Sequence, residues 1–258
     1  MAGGQTDLAL DEHLNAIAAG ADRMLAEHAR SGPDAGVPTC PAWTADKLLA
    51  HQAMVHRWAA ANVRGEGSRP PITQTRILAE VPDLRGYLRE GAEALVSAIT
   101  GADDDLRAMT FLDDAPPPRR FWARRQAHET TIHAVDALAA ALGRVPTAAE
   151  AGLPVELAAD GIDELLRGFV PRGTKTSPLY GGEMFAFAVR PSDAVANWTV
   201  RVGDGPLVTT RGAAGEVDAE LTGTAAQLYL GLWNRGAEIV ESGEREILRR
   251  FADVRVRW

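Results

Sequence analysis

Arg125-Gln126-Ala127-His128-Glu129-Thr130-Thr131-Ile132-His133-Ala134-Val135-Asp136-Ala137 is the stretch on which the reading of this chain turns. Positions four apart on an α-helix lie about 40° from one another and share a face. Trp122, Glu129, His133, Asp136 and Ala140 then form one stripe, with Phe121, Ile132, Val135 and Ala139 beside it. Two carboxylates and an imidazole thus share a face with core residues, a costly place for an ionised group unless something positive stands opposite. The helix that carries them is expected from just after Pro118 to about Leu142, ending at Gly143.

Outward from this helix, the residues before about 170 read as helical. Leu10, Leu14, Ile17, Ala21, Met24 and Leu25 recur at helical spacing over about Leu8–Ala29, and Ser31-Gly32-Pro33 ends that segment. Thr44 is a good N-cap for a second helix, about Ala45–Val63, with Asp46 in its first turn. A third covers about Asp83–Ile99, and four long helices of this kind predict a bundle. A further helix, about Pro154–Phe169, follows. Beyond it the texture changes: residues 185–189, 198–202, 207–210 and 217–221 read as strands, with Gly203-Asp204-Gly205 as the turn of a hairpin. Helices at about Ala225–Trp233 and Glu244–Phe251 and a last strand ending at Trp258 complete an α+β chain of two domains, 1–170 and 171–258, with the boundary near 150–180.

The bulk properties exclude several classes of function. With 258 residues the chain suits one large or two modest domains, and 46% hydrophobic and 24% charged residues are ordinary for a soluble globular protein. A net charge of −8 gives no general attraction to nucleic acid or anionic lipid. Met1–Leu10 lacks the pattern of a signal peptide, and no window reaches the length needed to span a bilayer, so a cytoplasmic location is expected. The lone Cys40 rules out an internal disulfide framework and a Cys-rich zinc site.

A metal ion would resolve the cost of the carboxylate on the central stripe. Glu129 and His133, one helical turn apart, can chelate one ion, and His51 lies mid-way along the inward stripe Leu48, His51, Val55, Trp58 and Asn62 of the second helix. Two His and one carboxylate commonly hold a catalytic zinc with one position open, though non-haem iron and other divalent ions suit the same set. The spacing also fits a solvated Glu–His pair and a hydrogen-bonded core histidine. His56 and His128 are neighbouring competitors, His13 and His28 are expected on the surface of the first helix, and Asp136 is in reach of a role behind His133. No readable motif sets a base beside Cys40, which reads as a buried small residue before Pro41. The Gly203 turn joins two strands and opens no helix, so it is no phosphate loop.

Three segments carry a resemblance. Val37-Pro38-Thr39-Cys40-Pro41-Ala42-Trp43-Thr44 through His51 resembles the VPxCPxWTxxDLxAH entry to the second helix of actinobacterial mycothiol-dependent maleylpyruvate isomerase-like proteins. Arg125–Ala137 resembles their RxxHExxxHxxDA motif, and Leu221–Arg235 is similar to their GxAxDLxLxLxxR segment; Lys47 and Gln227 stand where those patterns have Asp. The resemblance covers nearly the whole chain. It implies a DinB-like four-helix bundle followed by a small α/β domain similar to sterol-carrier proteins. It further implies a divalent metal, usually zinc, on His51, Glu129 and His133, a mycothiol cofactor held as thiolate, and a basic residue from the second domain, best matched by Arg235, for the carboxylate of a small acidic substrate. The activity implied is isomerisation or S-transfer on a small electrophile. A non-catalytic metal- or ligand-binding protein is the contrasting class, and a metal-dependent hydrolase a weaker one. A fourth protein ligand from His56, His128 or Asp136 would point away from the enzyme.

Overall fold

The structure, a computed structural model, describes residues 8–67, 69–112, 114–174, 184–203, 207–212 and 215–253. The described residues divide into two compact units, the first lying within 9–111 and 115–146, the second within 147–253 together with Leu8, Leu112 and Asp114. No helix among the described residues is long and apolar enough to cross a membrane.

The first unit is helical: α1 (Leu10–Ser31), α2 (Ala45–Val63), the short α3 (Gln74–Glu80), α4 (Leu84–Gly101) and α5 (Pro118–Leu142). Thr44 caps α2, its hydroxyl accepting from the Lys47 amide. Pro118 opens α5 at a position that needs no amide donor, and Gly143, with φ +66°, closes it in the left-handed conformation. Helix α5 packs on α1, α2 and α4, so it is the central rod of the unit, and every residue from Phe121 to Ala140 is buried. Met24 and Leu25 of α1, Leu48, Leu49 and Ala53 of α2, Leu88 of α4 and Ala134 and Ala137 of α5 share one core. Gly20 sets the approach of α1 to α5: a Cβ there would lie 3.0 Å from Thr130 Cγ2 and 3.3 Å from the Thr130 carbonyl carbon.

The second unit opens with α6 (Ala148–Ala151) and α7 (Val155–Glu164), which runs through a π-helical turn (Leu165–Phe169) into α8 (Val170–Thr174). Strands β1 (Phe185–Pro191), β2 (Trp198–Val202), β3 (Val208–Arg211), β4 (Ala219–Gly223) and β5 (Val240–Gly243) form one sheet in the order β3-β2-β1-β4-β5. Only β1 and β4 pair in parallel; the remaining pairs are antiparallel. Helices α9 (Ala225–Leu232) and α10 (Arg245–Asp253) complete the unit, and α7 packs on α9, where any side chain at Gly161 would run into the Tyr229 ring.

The α+β class and the predicted hairpin of β2 and β3 stand. The helix grouped by sequence with the bundle, here α7, packs in the second unit instead, because an apolar stripe does not say which neighbour will cover it. Strand β5 and helix α3, too short for a periodic signal, were not expected, and the strand expected to end at Trp258 lies outside the described residues. Gln227, where the resembling pattern has Asp, completes a capping box on α9: its side chain accepts from the Thr224 amide at 2.8 Å while its own amide donates to Thr224 Oγ1 at 3.2 Å.

Asp163 of α7 anchors this unit. Its fully buried carboxylate accepts from Trp198 Nε1 at 2.8 Å, from Arg211 Nε at 2.6 Å and from Arg167 NH1 at 3.3 Å, tying α7 and the π-helical turn to β2 and β3.

Candidate metal centre

Helices α2 and α5 bring His51, Glu129 and His133 together, with a ligand atom from each within 4.8 Å of the others. Glu129 stands between the two rings: its Oε1 is 3.5 Å from His51 Nε2 and 3.3 Å from His133 Nε2. Charge-assisted hydrogen bonds between such groups run nearer 2.7–2.9 Å. By contrast, donors about 2.0–2.1 Å from an ion at the centre of a tetrahedron stand about 3.3 Å from one another. The two Glu129–histidine separations are of that order, so this donor set, which forms an ion-paired cluster as it stands, could also hold a divalent cation. At this place the described residues supply three such ligands: His56 and His128 are not among them, and Asp136 is engaged behind His133.

The other Glu129 oxygen answers the cost raised by its position. Arg125, one turn earlier and 2% exposed, donates through NH2 to Oε2 at 3.3 Å. The carboxylate thus turns one oxygen to the histidines and one to a buried guanidinium. Burial would raise the Glu129 pKa, but both histidines and Arg125 hold it well below the usual carboxylate range, so an anion is ready for a cation. Burial lowers the pKa of His51, with the Glu129 hydrogen bond opposing. Burial acts the same way on His133, but Asp136 and Glu129 on its two ring nitrogens outweigh it and raise it to about 9.

A turn between α1 and α2 forms one wall. The Cys40 amide donates to the Val37 carbonyl at 2.9 Å and the Trp43 amide to the Cys40 carbonyl at 2.8 Å. Trp43 lies with its ring centroid 4.7 Å from that of His51 and 5.8 Å from that of His133. Cys40, half-buried, donates its thiol to Asp136 Oδ2 at 3.5 Å. The sequence had set no base beside Cys40. The structure does, because the turn folds back on α5, a path that spacing along one helix cannot reveal. Arg125 was missed as well, although its place four residues before Glu129 was a readable signal.

The remaining sequence-level candidates fall elsewhere. His13 and His28, expected on the surface, are buried, because α1 is flanked on more than one side; His28 Nε2 meets Asp46 Oδ1 at 2.7 Å, and the His13 ring lies edge-on to that of His128 at 6.2 Å. Arg235 belongs to the second unit, directly after α9: it is buried, its amide donates to the Leu230 carbonyl at 2.7 Å and its NH1 to the Trp233 carbonyl at 2.9 Å.

His56 joins a fully buried polar group instead, 2.8 Å from Gln52 Nε2 and 2.9 Å from Thr130 Oγ1. Burial drives its pKa down from 6.5 to about 3. The sign is that of a base kept neutral by folding: its contribution to stability is complete above pH 6.5 and fades as pH falls toward 3, by up to about 1.4 kcal/mol per pH unit. In urea titrations with a chelator present, His56→Gln should therefore lose less stability than the unaltered chain between pH 7 and 4.5. Equal losses would remove His56 as the titrating group.

Residues 14–138 match the mycothiol maleylpyruvate isomerase N-terminal domain and residues 156–250 match the MDMPI C-terminal domain. The chain belongs to this family. Two solved structures share the fold of this mycothiol maleylpyruvate isomerase family chain. A histidine-to-alanine mutant of the mycothiol-dependent maleylpyruvate isomerase aligns with TM-score 0.61 and 19% identity, covering 92% of this chain and 95% of that one. The mycothiol-dependent maleylpyruvate isomerase itself gives TM-score 0.58 and 18% identity over the same shares. No curated protein matches by sequence.

Proposed function

We propose that this member of the mycothiol maleylpyruvate isomerase family is a metal-dependent enzyme that uses mycothiol, a low-molecular-weight thiol, to isomerise or S-transfer a small electrophilic substrate. The observation that carries the reading is the Glu129 carboxylate set between His51 Nε2 and His133 Nε2 at the edge lengths of a tetrahedral site, with three protein ligands among the described residues. His51, Glu129 and His133 would hold the ion, zinc being a divalent metal that suits this set. When bound, it supplies a positive charge that keeps a thiol deprotonated near neutral pH.

The chain's own residues prepare that charge. Arg125 fixes the Glu129 carboxylate by its far oxygen, Asp136 takes the His133 Nδ1 proton as acceptor, and Trp43 presents an apolar ring against both imidazoles. The family resemblance implies a basic residue for the carboxylate of an acidic substrate, and Arg235 is assigned that role. A cytoplasmic location accords with a chain whose one cysteine forms no internal disulfide.

The test is a thiol-dependence screen of the metal-loaded protein with mycothiol and a panel of unsaturated acids and epoxides. Thiol-dependent isomerisation, or thiol consumption with adduct formation, is expected on at least part of the panel. Neither reaction across the whole panel would overturn the enzymatic reading and favour a binding protein.

A further inference from the structure

We propose that Asp136 is a positioning residue for His133, and that the Cys40 thiol holds it in that role. The inference rests on the metal reading above. Asp136 is fully buried, and its Oδ2 takes two donors: His133 Nδ1 at 2.9 Å and the Cys40 thiol at 3.5 Å. An ionised carboxylate only accepts, so the ring nitrogen facing it carries the proton. In the neutral form of the ring that a cation would take, Nε2 is then the lone-pair nitrogen, the one 3.3 Å from Glu129 Oε1 and turned toward the triad. Without this acceptor, a half-turn of the imidazole would present carbon where the ligand nitrogen belongs.

Cys40 extends the device off the helix. Its backbone shares the turn that carries Trp43, and Trp43 lies against His51 and His133. One oxygen of Asp136 therefore connects the ligand on α5 with the turn that walls the site. Asp136 works through His133, and Cys40 works through Asp136. Neither is assigned contact with substrate.

The experiment measures zinc affinity of the full chain by competition with a chromophoric chelator, beside the thermal midpoint of the zinc-free protein. Asp136→Ala is expected to weaken zinc binding about 10–100-fold, the range for loss of a ligand's outer partner. Asp136→Asn, which keeps an acceptor oxygen, should weaken it less. Cys40→Ala should weaken it by a small factor that Cys40→Ser, with its hydroxyl donor, restores. A merely structural role would lower the thermal midpoint without this graded order in zinc affinity. If Asp136→Ala does not fold, the Asp136→Asn and Cys40 variants carry the comparison.

Zinc affinity unchanged in both Asp136 variants overturns the proposal while leaving the triad intact, and unchanged affinity in Cys40→Ala removes the thiol's part. An unaltered chain that binds no zinc, or one that keeps it after Glu129→Ala, overturns the metal centre itself and this inference with it.

Discussion

Glu129→Ala is expected to leave the proposed His51–Glu129–His133 site without metal, where the unaltered chain should bind about one divalent ion; a second cluster of possible ligands, His13, His128 and Asp160, would be untouched by this change. Glu129 is the one anionic ligand of the triad and the one whose oxygen faces both imidazoles. Its removal leaves two neutral nitrogens and, behind them, the Arg125 guanidinium, 2% exposed, without this carboxylate partner. A cation would then be asked to enter beside a buried positive charge. The loss of affinity should exceed the roughly 10–100-fold that an outer partner costs. Glu129→Gln separates charge from shape: it keeps the size of the side chain and should still lose most of the metal. His51→Ala belongs in the same series. Elemental analysis of the purified proteins decides the matter, and equal metal content in the variants would remove the site from these residues.

Asp163→Ala should destabilise the second unit by about 2–3 kcal/mol and lower its thermal transition by on the order of 10 °C. The carboxylate is fully buried, whereas Arg211 and Arg167 are 29% and 28% exposed at their side chains. Water can take up part of the arginines' charge once the carboxylate is gone, which keeps the cost below that of a wholly buried ion pair. Trp198 has no such relief: it is fully buried, and its Nε1 donates to Asp163 at 2.8 Å. Asp163→Asn, which retains an acceptor for Trp198, should recover a good part of the loss. Calorimetry of the three proteins checks the order, and a transition unmoved in Asp163→Ala would show that the ion pairs add nothing to folding.

How much of this was legible in the sequence depended on distance along the chain. Glu129 and His133 share a helix, and their spacing alone placed them on one face; His51 was legible from its place mid-way along the stripe it shares with Leu48, Val55 and Trp58. Arg125 was equally open to that arithmetic. The Cys40–Asp136 contact was not, because it joins a turn to a helix far along the chain, and no period links them. The same limit explains α7, whose existence was legible but whose covering neighbour was not, and His13 and His28, whose burial depends on how closely α1 is packed. Short elements such as α3 and β5 offer too few residues for any pattern to repeat.

Helix α5, buried from Phe121 to Ala140, has consequences for how such a protein can diversify. A helix with one wet face has positions at which sequence can drift freely; this helix has almost none, since any change meets a packed neighbour. The two ligands, their guanidinium and their rear carboxylate all sit on it. Variation would therefore have to be written on the surrounding elements, the Val37–Thr44 turn among them, while the buried rod stays as it is.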